Sequence, residues 1–287
     1  MTLIDRSAFR QRLRPGDPLF VPYCPDALTA RLCEQLGFDA GYLGGGGIGN
    51  LLAISEALVT VNEMAESAAR IRRRSALPMV VDGGVGFGDA VHVTRTVWDL
   101  EAAGAHAIEL EDQVAPKRVS HHRHIEHLIP AEEMSAKVRV AVQSRQDPDL
   151  LIIARTGAVQ CEDFETAMSR GNAYLEAGAD AIMLLTQTEK QTVQAPQRIN
   201  GPVVIRKVFD VHTRAEWAEL GYAMVIDAVT GAAVSFTALR EAYERQRAER
   251  PVGSDPAGRY RAFEKFQDLG GFEELYEIER QTTEPGT

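Results

Sequence analysis

Two acidic side chains of the sequence each come at the end of an apolar segment. Asp82 follows residues 78–81, and Glu111 follows residues 107–110. If both segments are neighbouring strands of a parallel sheet, the two carboxylates lie at the same edge of that sheet. Carboxylates in such a position bind a metal ion or position a small anionic substrate. The alternative is that they form only salt bridges with nearby basic residues.

Basic and histidine side chains follow Glu111 along the chain. The segment 117–124 contains Lys117 and His121, whose side chains bind anions and transfer protons. We therefore predict a role for both in proton transfer or substrate binding. Zinc is disfavoured, because the spacing of His121, His122 and His124 suits one loop poorly and no thiol assists.

A glycine run and an arginine end two further apolar segments. Gly44 to Gly47 follow one of them, and their unobstructed N–H groups are suited to binding a carboxylate or an oxyanion. The run lacks the spacing of a dinucleotide-binding motif, and a flexible turn is the alternative. Arg155 follows residues 151–154, and its planar guanidinium matches a carboxylate. We predict that Arg155 anchors the substrate.

The net charge of -10 argues against a surface for nucleic acid or for an anionic membrane, since both need basic patches. No apolar segment reaches the roughly 18 residues of a membrane helix, and no basic-then-apolar leader opens the sequence. The three cysteines, Cys24, Cys33 and Cys161, show no metal-binding or CxxC spacing, which favours reduced thiols. We expect a cytoplasmic protein without a nucleic-acid or membrane partner.

Short apolar segments alternate with segments of helical period, which is typical of βα units around a parallel sheet. Two similar phrases, Glu-Ala-Ala-Gly-Ala at residues 101–105 and Glu-Ala-Gly-Ala at residues 176–179, each precede an apolar segment. The pattern predicts an α/β fold, a (β/α)8 TIM-type barrel. The predicted strands are residues 19–21, 40–43, 79–82, 107–111, 151–155, 181–184, 203–206 and 224–226.

The predicted domain organisation has three parts. Residues 1–250 form the barrel, residues 251–258 form a linker rich in Gly, Pro, Ser and Asp, and residues 259–287 form a C-terminal helical extension. The extension carries regularly spaced apolar side chains. We expect these to pack against the barrel of the same chain or against a partner subunit.

The motifs of this chain resemble those of the isocitrate lyase and phosphoenolpyruvate mutase superfamily, with the methylisocitrate lyase and carboxyphosphonoenolpyruvate mutase-like branch nearest. The motifs lie at residues 25–31, 42–46, 82 with 86–88, 95–97, 111–113, 117–118 and 154–156. The resemblance implies a barrel whose terminal helix pair is swapped between subunits of a homodimer or homotetramer. It also implies that Mg²⁺ and an arginine hold a small carboxylate as an enolate.

The resemblance assigns a role to each matching residue. Asp82 and Glu111 match metal ligands, and Lys117, His121 and Arg155 match catalytic positions. The predicted substrate-binding residues are Tyr42, Gly44, Gly45, Gly46, Arg155 and Arg206, of which Arg206 does not match the superfamily and is included for its positive charge.

Several positions depart from the superfamily pattern. Val119 replaces the catalytic cysteine of the lyases and cannot transfer a proton. Ser55 and Gly84 replace two acids of the metal shell, although Glu56 next to Ser55 is a possible substitute. Gly157 and Leu185 replace two further acids, and Arg206 replaces a neutral residue. These changes favour direct binding of an anion and leave Mg²⁺ as an open expectation.

Three functions are consistent with these residues. The first is a lyase that cleaves or forms a carbon–carbon bond in a small 2-oxo or 2-hydroxy carboxylic acid through an enolate, by retro-aldol, Claisen or decarboxylation chemistry. The second is a phosphonate mutase or hydrolase acting at a carbon–phosphorus bond. The third is a catalytically silent barrel that binds a small carboxylate.

Overall fold

The structure, a computed structural model, describes residues 5–123 and 125–284. All eight predicted strands are present, and each is separated from the next by at least one helix. The strands are β1 Leu19–Pro22, β2 Gly41–Leu43, β3 Met79–Asp82, β4 Ala107–Glu111, β5 Leu151–Thr156, β6 Ala181–Leu184, β7 Val203–Arg206 and β8 Met224–Asp227.

Thirteen α-helices lie within these described ranges, and several begin at an aspartate or threonine that accepts a hydrogen bond from the first turn. They are α1 Arg6–Gln11, α2 Ala27–Gln35, α3 Gly45–Leu52, α4 Val61–Arg72, α5 Ala90–Ala102, α6 Ala131–Ser144, α7 Ala158–Cys161, α8 Phe164–Glu176, α9 Glu189–Arg198, α10 Arg214–Leu220, α11 Thr230–Arg247, α12 Pro256–Gly270 and α13 Phe272–Thr282. Short 3-10 helices are Glu56–Leu58, Val119–Arg123 and Phe209–Val211.

The strands form one parallel sheet in the order β1-β8-β7-β6-β5-β4-β3-β2. A parallel bridge between Tyr23 and Tyr42 joins the β1 end to the β2 end, so the sheet closes into a ring. The predicted (β/α)8 TIM-type barrel is therefore confirmed. Because every strand is parallel, all carboxyl ends lie at one mouth of the barrel, where the connecting loops build sites.

The barrel has an inner and an outer apolar layer, as the pleat of the strands requires. Leu151 and Ile153 of β5 belong to the inner cluster, whereas Ile152 and Ala154 belong to the cluster under the helices. The same alternation places Val80 of β3 inside. Side chains two residues beyond these inner positions, at the strand ends, therefore point to the interior of the mouth.

The described residues fall into two compact units that divide between Gly231 and Ala232. The second unit is helical, and α12 begins at Pro256, within the segment predicted as a linker. Residues 1–4 and 285–287 of the predicted domains lie outside the described residues, and the predicted domain boundaries stay predictions. Exposed apolar side chains of the second unit are Val234, Phe236, Leu239, Tyr243, Tyr260, Phe263, Phe266, Phe272, Leu275, Tyr276 and Ile278.

Within the part of the chain that the structure covers, we find no helix whose length and hydropathy would let it cross a lipid bilayer. Cys24, Cys33 and Cys161 are free thiols.

Candidate active site

Strand alternation brings several charged side chains into the interior of the barrel mouth. Asp82 follows Val80 on the inner face of β3, and Arg155 follows Ile153 on the inner face of β5. On β4, Ala107 is an inner residue, so Glu109 and Glu111 continue its face. The mouth thus collects carboxylates and a guanidinium in a buried setting, where charges interact strongly.

Arg155 is ion-paired with both glutamates of β4. Its Nη1 lies 2.5 Å from Glu109 Oε1, and its Nη2 contacts Glu111 Oε2. Burial opposes the charge of Arg155, but Glu109 and Asp82 outweigh it and raise the pKa of the guanidinium. Burial raises the pKa of Glu109 even though Arg155 favours its ionised form. The predicted anchor therefore lies in the mouth, but two carboxylates of the chain already bind it.

Asp82 is held by backbone amides. Its Oδ2 accepts a hydrogen bond from Gly45 N at 2.9 Å, and its Oδ1 accepts one from Gly84 N at 2.7 Å. The amide of Gly45, predicted to bind the substrate, thus donates to Asp82 in this structure. These two bonds fix the carboxylate at the mouth.

Lys117 and His121 converge on Glu56 from the loop after β4. Glu56 Oε1 lies 2.6 Å from Lys117 Nζ and 2.6 Å from His121 Nε2. Lys117 Nζ also lies 2.5 Å from Glu111 Oε1, so the ammonium bridges two carboxylates. Burial opposes the charge of Glu56, but His121 and Lys117 outweigh it and hold its pKa well below the usual range. Ser55 Oγ lies 2.9 Å from His122 Nε2, so this contact also connects the loop after β4 to the segment that contains Glu56.

The predicted glycine positions lie close to neighbouring side chains. A Cβ at Gly44 would lie 2.7 Å from the Tyr42 ring, and a Cβ at Gly46 would lie 2.8 Å from Glu56 Oε2. Tyr42 is buried below the mouth, and its hydroxyl donates to Glu109 Oε2 at 2.8 Å. The structure therefore brings these residues to the site, while their contact with a substrate stays a prediction.

Arg206 lies at the end of β7, and its guanidinium is available to a ligand at the barrel mouth. Its side chain is partly buried, and no hydrogen bond or ion pair connects it to any of the described residues. Its positive charge nonetheless acts on Tyr42, Glu109 and Glu126. Since an unpaired guanidinium is suited to a carboxylate, Arg206 fits the predicted binding role.

Val119 and His121 belong to the same loop after β4 but differ in their contacts with the site. Val119, predicted to replace a catalytic cysteine, is 57% exposed. His124 of the histidine-rich segment lies outside the described residues. His121 is thus the described histidine that contacts the charged cluster.

Glu109 and Glu126 are site residues that the sequence analysis missed. Glu109 occurs two residues before Glu111 and so shares its face, which was the available signal. Glu126 approaches the end of β5, where a Cβ at Gly157 would overlap its Oε2. That oxygen is buried and has no hydrogen-bond partner among the residues described. Burial, followed by the charge of Asp112, raises the pKa of Glu126.

Carboxylate oxygens of the mouth are of the kind that Mg²⁺ prefers, and Mg²⁺ needs only one or two protein carboxylates. Asp82 and Glu111 supply that number, although the described ranges contain no cluster of three or more metal-binding side chains. The residues therefore fit the ion. However, Lys117 Nζ already lies between Glu56 and Glu111, so a metal ion and this ammonium would compete for the same carboxylates.

A cavity of about 410 Å³ opens beside Asp82. Its walls come from the loops after β2, β3 and β4 and from the start of α4. It is of the size that holds small-molecule ligands.

Comparison with known proteins shows extensive similarity. The family model described as phosphoenolpyruvate phosphomutase matches residues 9–247. The chain is 34% identical to an oxaloacetate decarboxylase of Chromohalobacter salexigens, over 92% of this chain and 93% of that protein. It is 33% identical to a 2,3-dimethylmalate lyase of Eubacterium barkeri, over 94% of this chain and 95% of that protein.

A solved structure of phosphonopyruvate hydrolase in complex with oxalate and Mg²⁺ superimposes with a TM-score of 0.84. The identity is 26%, and the match covers 98% of this chain and 100% of that chain.

Proposed function

Since the chain belongs to the phosphoenolpyruvate phosphomutase family, as the motifs of the sequence indicated, we propose that it is a lyase that decarboxylates a small 2-oxo acid. Its activity class, cleavage of a carbon–carbon bond in a small oxo or hydroxy acid, is that of the oxaloacetate decarboxylase and the dimethylmalate lyase that it resembles over more than nine-tenths of its length. The observation that carries the proposal is the guanidinium of Arg206 at the barrel mouth, which has no ion pair within the described residues, together with Lys117 and His121 as proton donors beside it.

Arg206 is the proposed anchor for the substrate carboxylate, because it is free of ion pairs within the described chain. Arg155 lies on the inner face of the same barrel but is bound by Glu109 and Glu111. Its contribution is therefore to hold the two glutamates in place. The fixed charge of Arg206 would face the developing anion and lower the barrier without reorganisation.

Decarboxylation suits a site that lacks the family cysteine. The carboxyl group that leaves is the one on the carbon next to the 2-oxo carbon, whereas the carboxylate bound by Arg206 stays. The bond from that carbon to the leaving carboxyl breaks, CO₂ leaves, and the bonding electron pair is delocalised into the 2-oxo group as an enolate. Cleavage needs no acid or base, and a proton is then delivered to the enolate carbon. Lys117 or His121 supplies this proton, since both face the mouth and Val119 cannot transfer one.

Asp82 and Glu111 are the proposed ligands for Mg²⁺, in line with the Mg²⁺ complex of the phosphonopyruvate hydrolase. When bound, the ion would act as a Lewis acid toward the oxygens of the substrate. The chain's own residues orient the acid, exclude water and provide the proton.

We further propose a homodimer or homotetramer in the cytoplasm. The exposed aromatic and aliphatic side chains of the helices after Gly231 support an interface with a second copy, including a swapped helix pair. The three free thiols support a reducing compartment.

The proposal is tested by incubating the purified enzyme and Mg²⁺ with 2-oxo acids and measuring CO₂ and enolate-derived product. We expect turnover that Asp82→Asn and Arg206→Met reduce at least tenfold, whereas Lys190→Gln, which removes an exposed charge outside the mouth, has little effect. Phosphonopyruvate is included because one structural neighbour is a phosphonopyruvate hydrolase. A changed phosphorus NMR spectrum there, without CO₂ release from oxo acids, would instead identify the carbon–phosphorus activity. Absence of both reactions, with binding of an oxo acid detected by calorimetry, would identify a catalytically silent binding protein.

A further inference from the structure

The cavity beside Asp82 has one polar end and one apolar end. Gly45, Glu56, Asp82 and Lys117 line the polar end, which is continuous with the charged mouth. The apolar end is built by side chains from three different segments. They are Val59, Met64, Val85, Phe87, Ala115 and Pro116.

The charges on the cavity wall disfavour a second anionic group. Three carboxylates line the cavity, those of Glu56, Asp82 and Asp89, and Lys117 is the cation among the lining residues. The Lys117 ammonium is already bound by Glu56 and Glu111. A substrate carboxylate placed at the apolar end of this cavity would therefore lose water and meet no free cation of the chain, which is unfavourable.

The shape of the cavity depends on a glycine beside Asp82. Gly84 lines the cavity with φ +52, and a Cβ built on it has no atom within 4 Å. A side chain at this position would therefore project into open space. The glycine that removes an acid from the expected metal shell also leaves room for a ligand group next to the site.

We propose that the natural substrate carries an apolar alkyl or aryl substituent on the carbon beyond its oxo or hydroxy carbon, and that this cavity holds the substituent. The substrate is then a branched or extended oxo acid, and unsubstituted oxaloacetate is a poor substitute. The expected turnover of such substrates rests on the proposed function. The expected binding of the substituent in the cavity does not depend on the reaction.

Binding is measured by calorimetry with malate and its 3-methyl, 3-ethyl and 3-propyl derivatives, which all carry the second carboxylate and differ only in the substituent. We expect each added methylene to tighten the dissociation constant roughly fourfold until the cavity is filled. A flat series would overturn the inference.

Turnover is then compared for oxaloacetate and its 3-methyl, 3-ethyl and 3-propyl derivatives. We expect kcat/KM to rise with the alkyl group. Equal or better turnover of oxaloacetate would overturn the inference and leave the proposed function intact. Failure of all four to react, with the chain-length trend in binding preserved, would overturn the proposed function alone.

Filling the cavity tests its location. Val85→Phe should move the optimum of the binding series to a shorter chain, and Val91→Phe, which adds the same bulk at a 78% exposed position, should leave it unchanged. Ala57→Leu is a second filling variant at a partly exposed position, in case Val85→Phe does not fold. An unchanged optimum in a folded filling variant would place the substituent elsewhere and overturn the inference.

Discussion

Arg155 Nη1 lies 2.5 Å from Glu109 Oε1 inside the barrel, with both side chains buried. Removing one partner of a buried pair leaves an uncompensated charge. We expect Arg155→Met to lower the free energy of unfolding by about 3–5 kcal/mol, as measured by urea denaturation. Adding Glu109→Gln should recover part of this loss, because it neutralises the stranded carboxylate.

The matched control is the exposed ion pair between Arg198 and Glu165. Arg198→Met should leave stability nearly unchanged, since solvent screens such pairs. If Arg155→Met were as stable as the wild type but failed to bind any carboxylate, Arg155 would be a direct substrate anchor and our assignment of Arg206 would be wrong.

Lys117 and a divalent cation should compete for Glu111. We expect Lys117→Gln to bind Mg²⁺ or Mn²⁺ several-fold more tightly in calorimetric titrations, because the variant frees two carboxylates of an ammonium. Its decarboxylation rate should fall, since a proton donor is lost. Lys190→Gln controls for the change in net charge. Unchanged or weaker metal binding by Lys117→Gln would contradict the competition.

Glu56 should stabilise the protein in a pH-dependent way. Its folded pKa is held below the ordinary 4.5, so its contribution is fully present above pH 4.5 and is lost as the pH falls below that value. We expect Glu56→Gln to destabilise the protein by about 2 kcal/mol at pH 7 and by progressively less between pH 4.5 and pH 3. Urea unfolding of both proteins across this range measures the difference. A difference that stays constant with pH would contradict the assigned ionisation.

Glu126 should have the opposite effect. Burial raises its pKa above 4.5, so folding is penalised once the pH exceeds the value at which the unfolded chain ionises. Charged and titratable groups that act on it are Asp112, Lys117, His121, Cys161 and Arg206. We expect Glu126→Gln to stabilise the protein by about 1 kcal/mol at pH 7, with no gain below pH 4. A loss of stability at pH 7 would mean that the carboxylate is bound by a cation.

Much of the barrel and its site follows from the sequence, because buried parallel strands are continuous apolar runs and their ends mark the mouth. This reasoning located Asp82, Glu111 and Arg155 at one edge. The interaction of each with its neighbours was not predictable in the same way. The spacing of residues in the sequence does not indicate that Arg155 is neutralised by Glu109, or that the Gly45 amide donates a hydrogen bond to Asp82.

Loop residues were harder to place than strand residues. Lys117 meets Glu56 only because two separate loops fold over the same mouth, and no sequence period records that approach. Glu126 occupies space that exists because position 157 lacks a side chain. The glycine that replaces an acid of the motif at position 157 therefore makes room for a carboxylate from another loop.

A substitution at Val119 tests whether a thiol at this position takes part in the reaction. Its side chain is 57% exposed in the loop after β4, whereas Lys117 and His121 of the same loop contact carboxylates of the mouth. We expect Val119→Cys to leave the decarboxylation rate within about twofold of wild type, because a thiol at an exposed position does not reach the enolate. His121→Gln should instead reduce the rate at least tenfold, a typical loss for a general acid. Steady-state assays of Val119→Cys with and without a thiol-alkylating reagent show whether the introduced thiol contributes to the rate. A tenfold gain in Val119→Cys that alkylation abolishes would show that the loop closes during turnover and that position 119 then faces the substrate.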